Sequence, residues 1–127
     1  MFIARLVLRE TASVVHAAAT ALGGVVTLPE GCDYVTIHLD YTKGDEASIA
    51  VWPTFFDRLG GIESRWMTWT AAAGNKTLTT NALTMNATGT ANYRFDVGGY
   101  ALMRFFELAV GGTPDGILAA TLTLKGS

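Results

Sequence analysis

Apolar and polar residues alternate along most of this chain. In "ARLVLR" Ala4, Leu6 and Leu8 share one face, and Arg5, Val7 and Arg9 the other. In "YVTIHLDY" Val35, Ile37, Leu39 and Tyr41 oppose Tyr34, Thr36, His38 and Asp40. Tyr93, Phe95 and Val97 oppose Arg94 and Asp96, and in "ILAATLTLK" Leu118, Ala120, Leu122 and Leu124 oppose the more polar set ending in Lys125. A period of two marks strands with one buried and one wetter face. Glycine-rich turn signals separate these runs at Gly23-Gly24, Pro29-Glu30-Gly31, Lys43-Gly44-Asp45, Gly60-Gly61, Gly98-Gly99 and Gly111–Gly116. The spacing predicts an all-β fold, an antiparallel β-sandwich of jelly-roll-like form with about eight strands.

Three stretches depart from simple alternation. "LDYTKGDEASIAVWP" reads as two strands of one hairpin, with Gly44 supplying a positive φ and Asp45 and Glu46 keeping the tip in water. "ETASVVHAAATAL" fits a strand or a short capped helix equally well. Residues 70–92 hold a single charged residue, Lys76, among many Thr, Ala and Asn, and predict an excursion of short strands lying on a surface or a neighbour.

"ALMRFFELAV" is apolar on both faces: Leu102, Phe106, Leu108 and Val110 lie with Arg104, and Met103 and Phe105 lie opposite. In "IAVWPTFF" Trp52, Phe55 and Phe56 cluster around Pro53, which is expected at an edge or bulge. A sandwich strand apolar on both faces calls for cover, either by the excursion at 70–92 or by another subunit. Trp52, Phe55, Phe56, Met103, Arg104, Phe105 and Phe106 are therefore the expected interface, and the chain is expected to form a homo-oligomer or larger assembly.

Composition sharpens this picture. The 127 residues fit one domain, residues 1–127, long enough to bury a core without staples. Charged residues make up only 16% against 50% hydrophobic, well below the usual charged share of about 25%. A net charge of −2 with no run of Lys or Arg argues against nucleic acid as a partner. Arg5 and Arg9 interrupt the apolar start, so neither a secretory core nor a membrane span is expected.

Candidate chemistry is sparse. Cys32 stands alone and reads as a small buried thiol. His16 and His38 lack ligand spacing, so no metal site and no cofactor is expected, and His38 reads as a surface residue beside Asp40. Asp40, Asp45, Glu46, Asp57 and Glu63 form no fixed acid–base pair of the kind a glycosidase needs. The calcium-loop spacing is missing around Asp45 and Glu46. Asn75-Lys76-Thr77 and Asn86-Ala87-Thr88 match the glycosylation acceptor pattern inside a Thr/Asn-rich segment, where such matches arise by chance. The chain reads as a non-enzyme. Trp52 with Trp66 and Trp69 forms the alternative candidate, a glycan platform, although the spacing of Trp66 and Trp69 puts them on opposite faces of a regular strand.

"YVTIHLDYTKGDEASIAVWPTFF", "ESRWMTWT" and "NYRFDVGGYALMRFFELAVGGTPDGILAATLTL" together resemble an architecture of small structural proteins of tailed bacteriophage virions. The resemblance covers roughly residues 33–69 and 92–125 and rests on strand and turn chemistry. Pro53 and the excursion at 70–92 depart from it. It implies a capsid auxiliary or decoration protein, or a neck or tail component, with major capsid or tail proteins as partners. It also implies synthesis in the host cytoplasm and a final place in the virion. Tyr100, after Gly98-Gly99, would pack at a strand corner, and Arg104 would find a partner within the subunit or across an interface.

Overall fold

In a computed structural model of the chain, residues 2–14, 20–57, 66–68, 83–98 and 100–126 are described. They form nine strands: β1 (Phe2–Ser13), β2 (Thr20–Thr27), β3 (Cys32–Thr42), β4 (Ser48–Asp57), β5 (Trp66–Thr68), β6 (Leu83–Met85), β7 (Gly89–Asp96), β8 (Tyr100–Val110) and β9 (Ile117–Gly126). One sheet runs β1-β9-β3-β7, the other β2-β8-β4-β5, with β6 also pairing with β4. Every pairing is antiparallel. Apart from β4 and β5, strands consecutive in the chain do not pair within a sheet, so the chain crosses repeatedly from one sheet to the other. This order is that of a jelly roll, the all-β sandwich expected from the alternation.

The period of two sets the core. Val35, Ile37, Leu39 and Tyr41 of β3 meet Leu118, Ala120, Leu122 and Leu124 of β9 on the inner face of the first sheet, and all are buried. Opposite them stand Ile49, Val51 and Phe55 of β4 with Met103 and Phe105 of β8. Phe95 of β7 lies edge-on to Phe105 at 5.9 Å, and Phe55 stacks on Tyr100 at 4.7 Å. Each such side chain contributes roughly 1.5–3 kcal/mol by leaving water.

Several expectations change here. The stretch "LDYTKGDEASIAVWP" does hold two strands, but β3 and β4 lie in different sheets, so residues 43–47 form an arch between layers rather than a hairpin turn. Gly44 is not of positive φ; among the described residues Gly23, Gly31, Gly111 and Gly112 are. Glu46 is buried rather than solvated. The undecided stretch 10–22 begins and ends in strand, and residues 15–19 lie outside the described residues. Most of the Thr/Asn-rich excursion also lies outside them, while its last part forms β6 and the start of β7.

Pro53 is not at the sheet edge, because β4 has β8 on one side and β5 and β6 on the other. However, β6 pairs with residues 49–51 and β5 with residues 54–56. Pro53 falls between them, where no described strand pairs with it on that side.

Candidate functional site

The outer face of the second sheet carries the chemistry that stands out. Alternation sends the odd residues of β8 inward and its even residues outward, so Leu102, Arg104, Phe106 and Leu108 line the outer face, half-buried. Trp52 of β4 is in register with Phe106, and Thr54 with Arg104. The rings of Trp52 and Phe106 stack at 5.9 Å with 20° between planes. The Arg104 guanidinium lies over the Phe106 ring at 4.5 Å from its centroid. The result is a row of arginine, phenylalanine and tryptophan across two strands, flanked by leucines. Cation–π and aromatic contacts link these side chains, and a half-buried apolar surface that carries a cation suits protein contact.

The expected interface thus divides. Trp52, Arg104 and Phe106 do come together on the outer face. Phe55, Met103 and Phe105 point into the core and are buried, so they belong to the fold rather than to a surface. The physical reason is parity: consecutive strand residues cannot share a face. Nothing is described of the side chains of Phe56 and Trp66, although β5 puts Trp66 in register with Phe56. Trp69 lies outside the described residues.

Two polar constellations inside the sandwich escaped the sequence reading. In the first, Arg9 of β1 reaches across to Glu107 of β8. Its Nη1 and Nη2 donate to the two carboxylate oxygens of Glu107, both at 2.7 Å, and its Nε donates to the carbonyl of Leu118 at 3.1 Å. The Glu107 side chain is 2% exposed. Strict alternation would leave Arg9 on the face of Arg5 and Val7. A register shift between Val7 and Arg9 turns it inward, the re-aiming that a β-bulge provides. The pair ties the edge strand of one sheet to the middle of the other.

The second constellation centres on Glu46, whose side chain is fully buried in the arch between β3 and β4. One of its oxygens accepts from the amide of Gly44 at 2.6 Å and from the Tyr41 hydroxyl. The other accepts from the amides of Asp115 at 3.0 Å and Gly116 at 2.7 Å. Asp115 returns the contact, its Oδ1 accepting from the Asp45 amide at 2.6 Å. Two arches at one end of the sandwich are thereby locked to each other.

Burial alone would raise the Glu46 pKa. The donated hydrogen bonds from Tyr41, Gly44 and Gly116 outweigh it and push the carboxyl down to about 2. Burial, followed by the bond to Glu46, raises the Tyr41 hydroxyl above its ordinary value. With its oxygens already occupied by donors, this carboxylate reads as a structural brace rather than an acid–base catalyst.

The remaining candidates are ordinary. Cys32 is buried, with Sγ donating to the Tyr34 carbonyl at 3.7 Å. His38 is exposed, its Nδ1 at 2.7 Å from Oδ1 of Asn92. His16 lies outside the described residues. Among the described residues no three of His, Cys, Asp and Glu gather in a way that could hold a metal ion. Tyr100 packs at its strand corner against Phe55, as anticipated.

No family model matches the chain, and no curated protein does. Solved structures do match in fold. The SPBc2 prophage-derived protein YomS is similar over 98% of this chain and 94% of its own, with 13% identity and a TM-score of 0.53. The infectious bursal disease virus VP2 subviral particle is similar over 97% of this chain and 32% of its own, with 8% identity and a TM-score of 0.56. A structure described as "CBM4 structure and function" is similar over 97% of this chain and 71% of its own, with 13% identity and a TM-score of 0.54. At these identities the likeness is one of fold: this chain has a sandwich architecture that a prophage-derived protein, a viral particle protein and a CBM4 protein also have.

Proposed function

We propose that this chain is a non-enzymatic structural protein of a bacteriophage virion, a capsid auxiliary or decoration protein or another head or tail component. It associates with copies of itself and with major capsid or tail proteins, and is carried in the virion after synthesis in the host cytoplasm. The observation that carries this reading is the arginine–aromatic row on the outer face of the second sheet, a contact surface on a fold without a catalytic constellation among its described residues. The near full-length likeness to a prophage-derived protein and the fold shared with a viral particle protein support it. Burying a patch of this kind at about 25 cal/mol per Å² gives a contact that becomes strong when repeated by symmetry.

Light scattering across a wide range of protein concentration tests the proposal. A defined oligomer or reversible growth into particles is expected, with Phe106→Ala and Arg104→Ala lowering the mass. A chain that stays monomeric at every concentration, and that does not bind capsids or tails, overturns it.

A second reading, a carbohydrate-binding module, draws on the fold shared with the CBM4 structure and on the outward position of Trp52. Phe106 already covers one face of the Trp52 ring, which leaves less surface for a sugar. On this reading, added sugar shields tryptophan fluorescence from acrylamide quenching.

A further inference from the structure

The outer face of the first sheet is the surface that neither the core nor the Trp52 row explains. The pairings set its residues in rows across all four strands. One row runs Arg5, Thr123, Thr36 and Arg94 from β1 to β7. On one side of it Lys125 stands beside Tyr34, and on the other Thr121 stands beside His38 and Asn92. The face is open. Arg5, His38, Asn92 and Arg94 are exposed, and Tyr34, Lys125 and the three threonines are half-buried.

Cations gather on this face. The Arg94 guanidinium lies 3.8 Å from the centroid of the Tyr34 ring, and the Lys125 Nζ lies at 5.9 Å. They reach the ring from the strands on either side of β3, drawn by its attraction for positive charge. Arg94 also meets Asp96 at 3.5 Å, an exposed pair of little strength. Arg5 and Lys125 join no ion pair among the described residues. Asp33 and Asp40 lie outside these rows, towards the two ends of β3. Between the cations, no hydrogen bond joins the hydroxyls of Thr36, Thr121 and Thr123 to any described residue.

We propose that this face binds an anionic polysaccharide. Its acid groups meet Lys125, Arg5 and Arg94, and its hydroxyls meet the threonines and the His38–Asn92 pair. Charge complementarity selects the acid groups. The sugar is selected by what else the face offers. β3 and β9 are each paired on both sides, so their backbone groups are taken up by the ladders and an extended acidic peptide finds none to pair with. Three rows across four strands measure about 14 Å by 14 Å. That is far short of the roughly 800 Å² per partner of a standard protein interface, but it suits a few sugar rings. The Trp52 row lies on the opposite outer face, so this site stands or falls separately from the assembly.

Titration calorimetry with three acidic chains tests the proposal: polygalacturonate for carboxylate, heparin for sulfate and poly(ribitol phosphate) for phosphate. At least one is expected to bind, and more weakly as salt rises. Arg5→Gln and Lys125→Gln should each weaken that binding about tenfold, the contribution of one charge-assisted hydrogen bond, with folding checked by melting temperature. Phe106→Ala should leave it unchanged, whatever it does to the mass of the assembly. Two further probes decide the occupant. Polyglutamate bound as tightly as the polysaccharides would make the partner an acidic protein segment and overturn the proposal. Dextran bound as tightly would leave the cations without a role and overturn it too. Binding of none of the acidic chains, or binding that both Gln variants retain in full, has the same meaning.

Discussion

At the residue scale Glu46 is the side chain whose setting differs most from its sequence context. "TKGDE" is a polar, glycine-containing run that normally marks a solvated tip. Nothing in it announces that residues 44, 115 and 116 converge on one carboxylate, because that convergence links segments 70 positions apart. Its acid response follows from the shift. The folded pKa of about 2 lies below the ordinary 4.5, so the brace contributes stability above pH 4.5 and loses it as pH falls towards 2. Acid unfolding of the wild type should therefore steepen across that window, and Glu46→Gln should flatten it. At the alkaline end the raised Tyr41 pKa has the opposite sign. Its contribution is full below the ordinary value of 10.0 and is lost as pH rises above it. Glycines in the same arches are required by space. A Cβ on Gly44 would collide with Asp115, and one on Gly116 with Glu46 and the Thr42 carbonyl. Gly44→Ala should destabilise the fold by about 1–3 kcal/mol, as overpacking does, measurable by denaturant titration. Gly98→Ala, where a Cβ has open space, should have a much smaller effect.

At the element scale the alternation of polar and apolar residues was a sound guide wherever a strand stays in register. β3, β7 and β9 bury the faces that their sequences indicate. It misled where register shifts occur, and β1 is the example: Arg9 looks like a surface residue until the bulge turns it towards Glu107. Aromatic richness misled in another way, since "WPTFF" and "MRFF" suggest patches that parity then splits between core and surface. Removing one partner of a buried ion pair leaves an uncompensated charge and costs roughly 3–5 kcal/mol. Glu107→Ala should therefore unfold at markedly lower denaturant concentration than Glu10→Ala, which removes an exposed carboxylate of β1.

At the scale of the whole molecule the class of fold was legible and the connections were not. Turn residues show where strands end, but a glycine-rich link looks the same whether it returns within a sheet or crosses to the other. Here β1 to β4 alternate between sheets, as do β6 to β9, so strands adjacent in a sheet are mostly distant in sequence. Non-local pairing of this kind folds slowly, and refolding from denaturant should take roughly milliseconds to seconds. A stopped-flow trace complete within the mixing time would contradict that expectation. The outer-face row is legible only once this topology is known, because β4 and β8 are far apart in the chain and meet through it.

The register of the first sheet puts Phe2 beside Gly126. Directly opposed residues in an antiparallel pair are about 5 Å apart, so a short flexible linker could join them. The order in which the strands are synthesised is thus separable from their arrangement. A circular permutant closed there and opened at the exposed Pro29–Glu30 link would keep every strand pair. One opened at Gly44–Asp45 would cut the loop that Glu46 braces. Cargo attached at residue 2 or residue 126 would leave the molecule from the same corner.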